Sequence, residues 1–167
     1  MFTTIEQFKN IWQQESGNTR KVFASLTDDS LNKQVADKHR TLGRMAWHIV
    51  QTLPEMAGLT GLKVVGPDAK EPVPTSAAQI KDAYDKAAAS LLDQVVNNWQ
   101  DDTLKIEDEM YGQKWSRGVS LFGVISHEIH HRGQMTVLMR QAGLPVAGVY
   151  GPSLEEWSQY GMNAPEI

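Results

Sequence analysis

The chain carries five histidines, and three of them crowd the string Ser126-His127-Glu128-Ile129-His130-His131-Arg132-Gly133-Gln134. Residues four apart on a helix share a face about one turn apart, so His127 and His131 can aim their imidazoles at one ion. Extended along the helix, that face reads Ser120, Val124, His127, His131, Gln134 and Leu138, apolar at its ends and polar in its middle. Burying imidazoles and an amide in a helical core costs free energy unless they are satisfied, and a metal ion satisfies the imidazoles. His130 lies about 300° around the helix from His127 and about 100° from His131. It can replace one of them but not join both, and is assigned to a bundle edge or a dimer contact.

A third ligand has to come from another helix. His48 is the candidate, with Met45, Ile49 and Thr52 as its helical neighbours; alone, it would read as a hydrogen-bonded core histidine. His39 sits among Asp37, Lys38 and Arg40 and reads as solvated. Three histidines with one position open is the catalytic type of zinc site, whereas structural sites are closed by four protein ligands. Nitrogen ligands suit zinc, nickel, copper or iron. The chemistry such an ion offers is Lewis-acid polarisation, or lowering the pKa of a bound water toward ~7. The alternative is a polar core of hydrogen-bonded histidines without metal.

His127-Glu128-Ile129-His130-His131 also matches H-E-x-x-H, in which two histidines hold zinc and the glutamate is a general base. A protease of that type needs a further ligand. Val137 occupies the position where a third histidine would stand, and Glu155 or Glu156 could serve only across the breaks at Gly143-Leu144-Pro145 and Gly151-Pro152. Glu155, just after Ser153, reads as an ordinary acidic first turn of a helix.

Helices must position these groups. Ile5, Phe8, Trp12, Val22, Phe23 and Leu26 recur at intervals of three and four, predicting helix 1 over about 3–26, with Thr3 or Thr4 as cap and Gly17-Asn18 as a weak point. Thr27-Asp28-Asp29 marks a break or a new cap. Helix 2 covers roughly 41–59, with Leu42, Met45, Ile49, Leu53 and Met56 near one stripe and a kink expected at Pro54. Helix 3 runs about 76–98 on Ile80, Tyr84, Ala87, Leu91 and Val95. Residues 100–116 are polar; Thr103–Glu107 reads as a short extended piece, without a sheet. Helix 4 spans about 117–142 and stops at Gly143 with Pro145 beyond. A short final helix is expected over Ser153–Gly161, anchored by Trp157. The fold class is therefore all-α, a four-helix bundle with a short C-terminal helix, as one domain over 1–167.

Composition narrows the function. With 41% hydrophobic and 22% charged residues the chain reads as globular. The net charge of -4, with no basic stripe, argues against nucleic-acid binding, which depends on neutralising phosphates. No window approaches the ~20 apolar residues of a membrane span, and the N-terminus lacks the pattern of a signal peptide. There is no cysteine, which removes disulfides and thiolate ligands and fits a cytoplasmic location.

The strings Gly43-Arg44-Met45-Ala46-Trp47-His48-Ile49-Val50 and His127-x-x-x-His131-Arg132-Gly133-Gln134 are specific in combination. With Met135 to Leu144-Pro145, Tyr150-Gly151-Pro152-Ser153 and Glu155-Glu156-Trp157, they resemble the DinB/YfiT-like superfamily of four-helix bundles over most of the chain. The resemblance implies His48, His127 and His131 as ligands, a zinc- or nickel-like ion, and a homodimer. It also implies a metal-dependent hydrolase, or a transferase or isomerase using a low-molecular-weight thiol such as bacillithiol or mycothiol, acting on a small molecule. A non-catalytic metal-binding stress protein is the alternative. Glu128 departs from the pattern without disturbing the ligand face. Candidates for an acid or base are Glu55, seven residues after His48, and Glu15 on helix 1; both also read as solvated surface carboxylates. Gln134, one turn beyond His131, can orient a ligand. Arg132 is expected outside the site, at a cap or an interface.

Overall fold

The computed structural model describes residues 1–166. Helix α1 spans Ile5–Ala24, and the Thr4 hydroxyl caps it by accepting from the Gln7 N–H. The Ile5 N–H donates to the Asp101 carboxylate at 2.8 Å, so two of the four orphan amides at this end are satisfied, and the Gln7 side chain accepts from the Thr3 N–H just before the cap. The helix runs unbroken through Gly17-Asn18. Thr27 then caps a short 3-10 helix, Asp28–Asn32, which tucks Leu31 into the core. Gly43 lets that turn approach the next helix closely, since a Cβ there would lie 3.0 Å from the Leu31 Cβ.

Helix α2, Leu42–Gly58, begins at Thr41, whose hydroxyl accepts from the Arg44 N–H. Pro54 lies inside it, and its ring packs so closely on Gly66 that a Cβ there would stand 2.9 Å from the Pro54 Cγ. Helix α3, Ala77–Asn98, buries Ile80, Tyr84, Ala87, Leu91 and Val95 on one stripe, as their spacing requires. Helix α4, Arg117–Gln141, ends in a Schellman turn: Leu144 N–H donates to Met139 C=O, and Gly143 N–H to Arg140 C=O. Gly143 has φ +74°, the left-handed conformation that favours glycine.

Two expectations are corrected. The segment before α4 contains a 3-10 helix, Asp101–Lys105, and then a hairpin of β1, Glu107–Met110, and β2, Gln113–Ser116. The strands are antiparallel, pairing Glu107 with Ser116 and Met110 with Gln113. Their turn, Tyr111-Gly112, has φ +52° and +79°, the positive pair of a two-residue hairpin loop. A tyrosine there hides the usual Asn-Gly signal, and Glu-Asp-Glu disguises the first strand. The second correction concerns Ser153–Gly161, where only Trp157–Tyr160 forms a helical turn, and that of the 3-10 type. Glu155 therefore does not stand in the first turn of a helix, and the Glu156 carboxylate accepts from the N–H groups of Gly148 and Ser153 and closes a loop.

The four long helices share one core. Helix α2 packs against α3 and α4, and α1 packs against α3 and α4. Trp12 is buried at its centre and donates its indole N–H to the Ala88 carbonyl at 3.0 Å. Among the described residues, no helix is long and apolar enough to cross a membrane.

Candidate metal centre

The contact between α2 and α4 sets the site. His48 reaches across from α2 to His127 and His131, which stand one turn apart on α4. One ring nitrogen from each lies within 4.8 Å of the others. The ring centroids are 4.9 Å (His48 to His127), 4.7 Å (His48 to His131) and 4.4 Å (His127 to His131) apart. The Nε2 atoms of His127 and His131 face each other at 3.1 Å. Two imidazoles sharing one ion through bonds of ~2.0–2.1 Å at a tetrahedral angle would hold their nitrogens roughly 3.3 Å apart, so the pair fits a divalent ion.

Hydrogen bonding fixes one tautomer. The His131 Nδ1 lies 2.7 Å from Gln134 Oε1, which can only accept, so Nδ1 carries the proton and Nε2 presents its lone pair to the cluster. The Gln134 amide in turn donates to His130 Nε2 at 3.1 Å, which places the exposed His130 beside the cluster and not in it. His127 Nδ1 is buried and unpartnered, and a cation between the rings would relieve part of the cost of holding these imidazoles out of water. Loss of the Gln134 amide should weaken metal binding roughly 10–100-fold, as removal of a ligand-orienting partner does. Competition with a chromophoric chelator on Gln134→Ala measures it.

Burial holds all three imidazoles neutral. It lowers the His48 pKa to about 3, helped by the charge of Arg40, then by His127, His131 and Arg44. It lowers His127 to about 4, helped by His131, His130 and Arg40. His131 moves in the same direction, again chiefly through burial. Neutral imidazole is the form a metal needs. A histidine whose folded pKa is depressed is protonated first in the unfolded chain, so metal-free protein loses stability as pH falls from 6.5 toward 3. Glu128 opposes part of this: burial lifts its carboxyl to about 7, so its protonation favours the fold between pH 7 and 4.5. Urea midpoints of chelated protein should therefore fall between pH 7 and 5, and less steeply in His48→Gln.

The other candidates lie elsewhere. Glu128 is buried on a different face of α4, where Oε1 accepts from the Thr19 hydroxyl at 2.6 Å and the Tyr84 hydroxyl at 2.9 Å. It cannot serve as the general base of an H-E-x-x-H protease, and Glu155 is occupied with Arg140 at 2.9 Å. Glu15 is buried too, its carboxylate accepting from Arg132 Nη2 at 2.6 Å and the Tyr150 hydroxyl at 2.7 Å. This corrects the surface reading of Glu15 and the interface reading of Arg132, whose guanidinium also donates to Thr19 and to the Glu15 carbonyl. Glu55 is exposed and accepts from the Tyr111 hydroxyl at the hairpin turn, 3.2 Å away. Beside the cluster, a cavity of about 420 Å³ shares His131 and Gln134 with it and reaches Met45 and Leu138.

Comparison with known proteins agrees with this architecture. The sequence profile of the DinB family matches residues 1–165. The uncharacterised protein YrdA of Bacillus subtilis (strain 168) is 42% identical over 167 residues, covering the whole of both chains. A DinB-like protein from Bacillus cereus ATCC 10987 superposes with a TM-score of 0.87 at 45% identity, over 90% of this chain and 100% of that one. The DinB-like protein YjoA of Bacillus subtilis shares the fold at a TM-score of 0.68 and 15% identity, over 88% of this chain and 99% of its own. The resemblance legible in the histidine strings thus holds along the chain, which belongs to the DinB family.

Proposed function

We propose that this protein is a divalent-metal-dependent enzyme acting on a small molecule, either as a hydrolase or as a transferase of a low-molecular-weight thiol. The observation that carries the reading is the cavity beside the histidines. His131 and Gln134 belong to both, so the cluster fronts a space of about 420 Å³, within the ~300–1,000 Å³ usual for small-molecule sites. Three protein ligands leave a coordination position for that space, the arrangement of catalytic and not of structural sites. Zinc or nickel suits the all-nitrogen set.

His48, His127 and His131 would hold the ion, which supplies Lewis acidity and favours the thiolate form of a bound thiol at neutral pH. The chain's own part is positional. Gln134 holds the His131 ring in the right tautomer, and the apolar walls at Met45 and Leu138 limit water at the reacting atoms. The absence of cysteine supports a reducing, cytoplasmic setting and leaves any thiol chemistry to a co-substrate. An apolar groove between α1 and α4, with Ile11 and Phe122 exposed along it, supports a homodimer.

The test pairs chelated and zinc- or nickel-loaded protein with a low-molecular-weight thiol and 1-chloro-2,4-dinitrobenzene, and separately with p-nitrophenyl acetate. Metal-dependent turnover of either, lost in His48→Ala, supports the proposal. Loaded protein that turns over neither substrate and leaves the spectrum of a substituted cobalt ion unchanged by thiol would overturn it.

A further inference from the structure

We propose that the cavity beside the histidines takes a small amphipathic carboxylate, its charge held by Arg40 at the mouth and its apolar body laid between Val35 and Val137. The proposal deepens the reading of this site as a small-molecule enzyme and rests on it for the substrate's role, but not for its binding.

The chain has six arginines. Four are neutralised: Arg20 by Asp85, Arg117 by Asp108, Arg132 by Glu15 and Arg140 by Glu155. Among the described residues, Arg40 and Arg44 are the two arginines that make no ion pair, and they stand together at the start of α2. Arg40 lines the cavity beside His39. Arg44, one turn on, donates to the neutral amide of Gln51 at 2.8 Å. The two are close enough for the charge of Arg40 to lower the pKa of Arg44, and Arg40 also acts on all three cluster histidines. A chain with net charge -4 thus leaves one unneutralised guanidinium, that of Arg40, on the lining of this cavity, with a second, that of Arg44, four residues on in α2. The first turn of α2 adds the positive end of its dipole to the same place. Among the described residues, no carboxylate lines the cavity.

The walls have the opposite character. Val35 on the loop before α2 is 57% exposed, and Val137 on α4 is 53% exposed. Both face this cavity, with Met45 and Leu138 deeper. Two bare valines on the lining of a cavity that also holds an unpaired arginine describe a ligand that is anionic at one end and apolar along its length. Arginine is the side chain whose planar fork matches a carboxylate.

The test titrates octanoate, and octanamide as its neutral counterpart, into the purified full chain by calorimetry, with zinc and after chelation. Octanoate should bind in both states and octanamide roughly tenfold or more weakly, the loss expected when a charge-assisted hydrogen bond is removed. Arg40→Gln should lose a similar factor for octanoate while keeping its zinc content, since Arg40 is exposed and outside the cluster. Val137→Asp should weaken binding as well. Undiminished octanoate binding by Arg40→Gln, equal binding of the amide, or no binding to wild type at millimolar ligand would overturn the proposal. Binding that requires zinc and disappears in His48→Ala but not in Arg40→Gln would also overturn it, because the anion would then sit on the metal. Failure of the metal reading would show instead as zinc content of zero, with the octanoate response to Arg40→Gln intact.

Discussion

Arg132→Met is expected to lower the melting temperature by about 6–20 °C. The Arg132 and Glu15 side chains are 2% and 5% exposed and 2.6 Å apart, so the substitution leaves a carboxylate buried without its partner. Breaking a buried pair from one side costs about 3–5 kcal/mol. For a domain of this size each kcal/mol moves the melting temperature by about 2–4 °C. The Tyr150 hydroxyl would remain as a donor to Glu15, but it carries no charge. Adding Glu15→Leu removes the stranded carboxylate as well, and the double variant should recover most of the loss. Differential scanning calorimetry on the single and double variants checks both statements. A single variant that melts within 2 °C of wild type would mean that Glu15 is solvated.

Zinc should raise the melting temperature of the wild type by roughly 5–11 °C, and His131→Ala should abolish the rise. A ligand that binds only the folded state stabilises it by about 2.7 kcal/mol at a hundred times its Kd, which converts to that shift. The size of the response reflects how the ligands are placed. His48 comes from α2, while His127 and His131 come from α4, so an ion ties together two helices that the chain connects only through α3 and the hairpin. In unfolded chain the α4 pair can still meet an ion, but His48 is 79 residues away from His127, so the tie exists only in the fold. His131→Ala removes the ligand whose tautomer is already fixed, and the two remaining histidines should give no resolvable shift at the same zinc concentration.

The histidine face of α4 was legible because two histidines four apart leave little choice of geometry, and His48 because a bundle needs a partner for that pair from another helix and because the family resemblance includes it. The second polar centre was equally present in the sequence. Helix α1 reads Phe8, Trp12, Glu15, Thr19, Val22, all buried, so two polar residues occupy consecutive turns of a core stripe. Helix α4 carries a matching stripe, Leu121, Ile125, Glu128, Arg132, Met135, Met139, again wholly buried. Helix α4 therefore has two inward faces, one of histidines toward α2 and one of Glu128 and Arg132 toward α1. Attention to the first hides the second, since a charged residue one position after a ligand looks like the outer side of a helix. The hairpin and the loop closed by Glu156 escaped for a different reason. Their backbones are set by a turn with positive φ at Tyr111 and by a carboxylate accepting from distant amides, and neither leaves a periodic trace. The cavity beside the histidines also depends on where the loop before α2 lies, which helical spacing does not state.

The most direct test of the metal centre is calorimetric titration of chelated protein with zinc, alongside the triple variant His48→Ala, His127→Ala, His131→Ala. One ion bound per chain by the wild type, and none by the triple variant at the same concentrations, is the predicted result. A triple variant that binds zinc as the wild type does, or a folded wild type that takes up neither zinc nor nickel, would contradict it.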